Sequence, residues 1–265
     1  MNSATTSSSW RGLPSLAWRD RSRAAGIHLA LSMIVAALAA FLVFVVWYPG
    51  PFRELAGGRG LFVLLTSVDV VLGPLLTFAI FDRVKSRRHL RIDLGVIGAL
   101  QLAALVFGLH TVFIVRPVAM VFEVDRMRLV VADDVAVDEL PSALPQYRRL
   151  PLTGPFLLSA RTPREGDERN DALFQGVAGK DISVRPKFWQ PYDESKAKAL
   201  DLARPIAVLL AHYPAQASAT RQELAEMKAD AASSRFLPAM ARTAWSAVLD
   251  RDGNVLGYLP LDAFF

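Results

Sequence analysis

Three long apolar runs occupy the first half of the chain, and short alternating runs occupy the second. Residues 26–47, 61–81 and 94–115 span 22, 21 and 22 positions with few charges, against the roughly 20 residues a helix needs to cross a hydrocarbon core. The first run ends at Trp47 and Tyr48, amphipathic rings suited to a membrane interface, and the breaker Pro49-Gly50-Pro51 follows. Its apolar stretch is longer than the roughly 7–15 residues of a cleaved leader, and no small-x-small site follows it. The pattern predicts three retained transmembrane helices.

Beyond Val115 the period changes. Residues 118–124 and 127–131 are β-rich runs around a turn at Asp125–Arg126, the pattern of a hairpin. Residues 150–159 read as a further strand, held to a sheet edge by Pro151 and Pro155. Residues 193–212 read as a helix that Pro205 kinks or divides, and Thr220 with Glu223 fits a capping box for a helix running to about Ala231. Residues 243–249 and 255–261 flank a Gly-containing turn. The expected architecture is three transmembrane helices followed by an α+β domain, residues 116–265, with an antiparallel sheet and helices on one face. Residues 1–25, rich in Ser and Thr and basic, are expected to be a disordered tail.

Charge orients these pieces. Of 30 Lys and Arg and 25 Asp and Glu, 11 and 5 lie at or before Val115 and 19 and 20 after it. The basic excess therefore brackets the apolar runs and forms no patch on a folded domain, which argues against nucleic acid as a partner and for the lipid bilayer. Arg11, Arg19, Arg21 and Arg23 precede the first run, and Arg83, Lys85, Arg87, Arg88 and Arg91 separate the second from the third. Only Arg53 and Arg59 separate the first from the second. That asymmetry puts the N-terminus and the 83–91 loop in the cytoplasm, and three spans then send residues 116–265 to the other side, the periplasm of a bacterial inner membrane.

The second run, TSVDVVLGPLLTF over residues 66–78, holds a carboxylate and a helix breaker in apolar surroundings. A charged residue at a span's centre costs about 2.5–3.5 kcal/mol on insertion scales, so Asp69 is expected to face protein or water. Thr66, Gly73 and Thr77 share its helical face, a small and polar stripe suited to close helix contact, while Pro74 frees the Val70 carbonyl. Counted by depth from the outer surface, His110 matches Asp69 better than Gln101 does, and Arg116 can reach inward from the interface. Asp69, Gly73, Pro74, His110 and Arg116 thus form the candidate intramembrane site. It has three readings: glue between helices of this chain, a contact to another protein's transmembrane helix, or a proton or ion path. Three spans make a poor transporter.

Catalytic signals are missing from the second half. With no cysteine, disulfides, thiolate metal sites and thiol nucleophiles are excluded. His212 is the one histidine there, so a histidine zinc cluster is not expected. The stretch 250–254, DRDGN, imitates the start of a calcium loop, but Val255 and Leu261 stand where glycine and glutamate are required. No GxSxG, HExxH, P-loop or GxGxxG sequence occurs. The chain is read as a non-enzyme needing no cofactor or metal, with a membrane-anchored sensor or enzyme, or a small transporter subunit using Asp69, as alternatives. Phe188, Trp189 and Tyr192, with Pro191, form an aromatic cluster that is either core packing under a loop or a protein-binding edge.

WYPGPF (47–52), TSVDVVLGPLLTF (66–78), RRHLRIDL (87–94) and RPVAMVFEVDR (116–126) follow one another in this order. Together they make the chain resemble the type IV pilin accessory proteins, the TfpX/TfpZ family. The resemblance is most specific over residues 47–126 and extends to the second half by layout. It implies an inner-membrane, chaperone-like protein that helps a particular major pilin persist and assemble, with the pilin and the pilus assembly machinery as partners. It implies no role for any individual residue.

Overall fold

A computed structural model describes residues 15–81 and 86–265. Arg11, Arg83 and Lys85 of the charge argument, and residues 1–14 of the expected tail, lie outside the described residues. The chain divides into two compact units, one of residues up to Leu38 with Val63–Gly108, the other of Ala39–Phe62 with Leu109–Phe265. We call them the helical unit and the folded body.

Among the described residues, three helices are long and apolar enough to cross a membrane, over Trp18–Trp47, Gly58–Ile80 and Arg87–Ile114. The first begins as α1 (Ser15–Phe41), so its helix reaches into the segment expected to be disordered, and it ends in a π-helical stretch, Leu42–Trp47. A short helix α2 (Phe52–Leu55) follows, then α3 (Gly58–Ile80) and α4 (Arg87–Ile114). Within the helical unit the backbones approach closely where side chains are missing: a Cβ on Gly108 would collide with the Leu65 side chain. That is the small-residue packing helices use where lipid offers no hydrophobic drive.

The folded body carries eight strands among the described residues: β1 (Pro117–Glu123), β2 (Arg126–Val131), β3 (Phe156–Ala160), β4 (Trp189–Pro191), β5 (Arg204–Pro205), β6 (Arg235–Met240), β7 (Ala244–Leu249) and β8 (Val255–Leu259). Four helices accompany them: α5 (Asp167–Val177), α6 (Lys196–Leu202), α7 (Ile206–His212) and α8 (Ala217–Glu226). The strand order is β4-β3-β1-β2-β6-β7-β8, with β5 beside β6. Both expected hairpins form, β1 with β2 and β7 with β8. The sheet is mixed, correcting the antiparallel expectation: β1 pairs with β3 and β2 pairs with β6 in parallel. The two hairpins come from opposite ends of the domain sequence and meet through that parallel β2–β6 pairing. β3 is also no edge strand, since it lies between β1 and β4; both its prolines precede it.

β1 is buried along its whole length. Met120 and Phe122 enter a core with Met127, Leu237, Leu249 and Tyr258, while Val118 and Val121 enter a second core with Val130, Leu158 and Trp189. A strand covered on both faces reads as a continuous apolar run, as VAMVF does here. A third core joins Ile206, Leu209 and Leu224 of α7 and α8 to Phe236 and Val248. Pro205 divides the expected long helix, contributing with Arg204 a two-residue strand between α6 and α7. The capping box does not form: α8 starts at Ala217, and Thr220 Oγ1 donates to the Gln216 carbonyl at 2.9 Å inside the helix.

The ends of the spans are built into this body. Leu55 is fully buried in the first core, the Arg242 amide donates to the Leu55 carbonyl at 3.2 Å, and Phe52 packs at 5.8 Å from the Tyr258 ring. Tyr48, fully buried, donates its hydroxyl to the Val112 carbonyl of α4 at 2.8 Å, and its ring leaves no room for a Cβ at Gly58.

Candidate functional site

Asp69, Gly73 and Thr77 lie one turn apart on α3, and the helical unit brings two polar side chains to that face. His28 of α1 places Nδ1 at 2.5 Å from Thr77 Oγ1 and Nε2 at 2.7 Å from Gln101 Oε1 of α4. The Gln101 amide then donates to the Asp69 carbonyl at 3.0 Å. With the ring proton on Nε2, every group finds the complementary role: Thr77 hydroxyl to imidazole, imidazole to Gln101, Gln101 to backbone. Gly73 makes room for this chain, because a Cβ there would collide with Gln101 Nε2. Gln101 thus supplies a donor one residue before the carbonyl that Pro74 frees.

The Asp69 carboxylate takes no part in that chain. Its Oδ1 is shut off from solvent and has no hydrogen-bond partner. It borders a groove of about 220 Å³ whose wall carries Ser32, Val35, Thr66, Leu102 and Leu105, with His28 and Gln101 also lining it. A Cβ on Gly98, another lining residue, would meet nothing within 4 Å, so the groove is open there.

The other expected site residues belong to the folded body. His110 is exposed on α4. Arg116 is 6% exposed: it donates to the Phe113 carbonyl at 2.9 Å and the Pro151 carbonyl at 3.2 Å, and its guanidinium lies 3.9 Å from the Phe113 ring centroid. It ties the start of the sheet to the end of α4. Phe188, Trp189 and Tyr192 are buried core residues. Trp189 Nε1 donates to the Ser183 carbonyl at 2.7 Å and the Tyr192 hydroxyl to the Gly253 carbonyl at 2.9 Å; burial pushes the Tyr192 phenol up to about 12.

Sequence reasoning passed over His28 and Gln101. Both are visible as polar residues inside apolar runs, and depth counted from the run ends disfavours Gln101. With α3 starting at Gly58 and α4 ending at Ile114, Asp69 and Gln101 sit about 17 Å and about 20 Å from those ends, a near match.

One surface of the body departs from its core. α5 has no buried residue, and Leu173, Phe174 and Val177 are exposed. Ion pairs hold it instead: Glu168 with Arg161 at 2.7 Å, and Asp171 with Arg185 at 2.6 Å and Lys187 at 3.1 Å. Those bonds hold both carboxyls below the usual range, Glu168 at about 2 through the Arg161 guanidinium and the Arg164 amide.

No solved structure matches the chain. The family described as "Fimbrial assembly protein FimB" matches residues 16–57, the first span and its connection to the second. The fimbrial assembly protein of serogroup I from Dichelobacter nodosus is 36% identical over 242 residues, 90% of this chain and 94% of that protein. Its serogroup E1 counterpart is 35% identical over the same shares. The counterpart of serogroups C1 and C2 is 44% identical over 118 residues, 44% of this chain and 90% of that protein. Likeness at this level along nearly the whole length places the chain in the fimbrial assembly protein family.

Proposed function

We propose that this chain is an inner-membrane accessory protein that binds a specific type IV pilin directly, stabilises it and assists its assembly into the pilus. In this reading residues 1–25 and the 83–91 loop are cytoplasmic, residues 26–115 carry the three spans, and residues 116–265 form a periplasmic domain. The role is chaperone-like and non-enzymatic, with the major pilin as client and the assembly machinery as a further contact. The observation that carries the reading is the fastening of the folded body to the span ends, with Leu55 in its core and Tyr48 bonded to Val112. A body fixed in this way can hold a client's head while the spans meet its membrane segment. Holding must be weak, because the client has to leave for the fibre.

The test is a deletion strain, complemented with the full chain, in which pilin protein, pilin transcript and surface pili are measured. The expected outcome is loss of pilin protein and pili at unchanged transcript, restored by complementation, with crosslinks from the body to pilin. Unchanged pilin protein and piliation on deletion would remove the proposal.

A further inference from the structure

The groove beside Asp69 carries an unmet chemical demand. Its rim is apolar, as a lipid-facing surface should be, yet one wall is a carboxylate whose Oδ1 has neither solvent nor a donor. No neighbouring polar group reaches that oxygen: one Gln101 N–H goes to the Asp69 carbonyl, and His28 is taken up by Thr77 and Gln101. An acceptor with no donor, set in hydrocarbon, is normally answered by protein.

We propose that this groove receives a transmembrane helix of the client protein, and that the helix brings a hydrogen-bond donor, a hydroxyl, amide or amine, to the Asp69 carboxylate. The reading of the client as pilin rests on the function proposed above; the groove and its demand do not. Three features select a helix of this kind. Ser32, Ala36 and Gly98 along the lining leave backbone accessible, which lets another helix approach closely. A lipid tail fills apolar space but carries no donor. A second copy of this chain fits badly, because a symmetric pairing through the groove would bring the two Asp69 carboxylates into one interface. Terminal torsion of an aspartate is soft, so either oxygen can turn to an arriving donor.

The absence of cysteine does not matter to the test, which uses a photo-crosslinking residue in the full chain in native membranes. One position is Leu102, exposed on the groove rim, and the control is Leu100, exposed on the same helix but outside the lining. The expected result is an adduct between residue 102 and a membrane helix of pilin, identified by mass spectrometry, at about ten times the control yield. D69L is expected to reduce it about tenfold, the scale of one intramembrane hydrogen bond with its packing. G98L, which fills the open part of the groove and leaves Asp69 intact, is expected to do the same. Replacing the donor on the client helix reproduces the loss.

An adduct at residue 102 that survives both D69L and G98L overturns the proposal. So does an adduct only with a second copy of this chain, or none at all. If D69L fails to accumulate, G98L and the client-side replacement decide. Pilin crosslinks from the body without any from residue 102 sink the groove and leave the proposed function standing. An Asp69-dependent adduct with a different membrane protein keeps the groove and overturns the pilin reading.

Discussion

Glu123 of the folded body keeps Oε2 at 3.2 Å from the Ser183 amide and Oε1 at 3.8 Å from Arg128; Asp69 of the helical unit keeps Oδ1 away from solvent with no donor. Both acids are withdrawn from water. Burial still pushes the Glu123 carboxyl up, but two groups oppose that shift. The body gives Glu123 partners from within, though Glu139 Oε2 and Arg185 Nη1 there are also shut off without one, and it gains its stability from apolar cores. The helical unit buries few apolar side chains among its described residues and depends on close approach and a few hydrogen bonds. A region of the second kind is easier to loosen and easier to complete with another protein.

The largest effect should come from breaking the body's core. Phe122→Ala is expected to cost about 3–5 kcal/mol, read as a lower unfolding midpoint by near-ultraviolet circular dichroism of the detergent-solubilised chain. Far-ultraviolet helicity from the spans should survive that transition; its simultaneous loss would merge the two regions into one cooperative unit. Next, Gly108→Ala puts a methyl group where Leu65 already stands. Overpacking of this kind costs about 1–3 kcal/mol, and Leu65→Ala on the same chain should recover much of it. No recovery in the double variant would show that the two helices do not meet there.

Gly73→Ala should be milder. The displaced atom is the end of the Gln101 side chain, and the loss is its bonds to His28 and the Asp69 carbonyl, about 0.6–1.7 kcal/mol. Gln101→Leu should cost a similar amount, and the two should not add; additive losses would separate Gly73 from the chain of bonds.

The smallest effect concerns α5. Glu168 and Asp171 have folded values held below their unfolded ones, so their contribution is complete above roughly pH 4 and is lost as pH falls toward 2. At such open pairs it amounts to less than about 1 kcal/mol. Hydrogen-exchange protection of residues 170–177 should fall in that window while the β1 core stays protected, and Glu168→Gln should reproduce the fall at neutral pH. Protection of α5 that ignores both changes would mean that something other than these ion pairs holds it.

Local chemistry made part of this legible. Apolar length announced the spans, and short polar turns announced β1–β2 and β7–β8. The β2–β6 and β1–β3 pairings were not legible, because parallel neighbours far apart in sequence leave no turn to read. β6 escaped for a similar reason: its run, RFLPAM, is broken by a proline, and its place depends on β7 and β5. Asp69 stood out because a carboxylate is conspicuous in an apolar run. Gln101 did not, because its role depends on where α3 and α4 start and stop, which apolar run lengths misplaced by a few residues.

Leu55 has a consequence for biogenesis. It comes from the first hairpin of spans to leave the ribosome, whereas β6, β7 and β8, which close the core around it, emerge last. A chain in which that hairpin failed to reach the folding body would leave a hole in its sheet-borne core and remain open to proteases. Correct placement of that hairpin is thereby checked by folding itself.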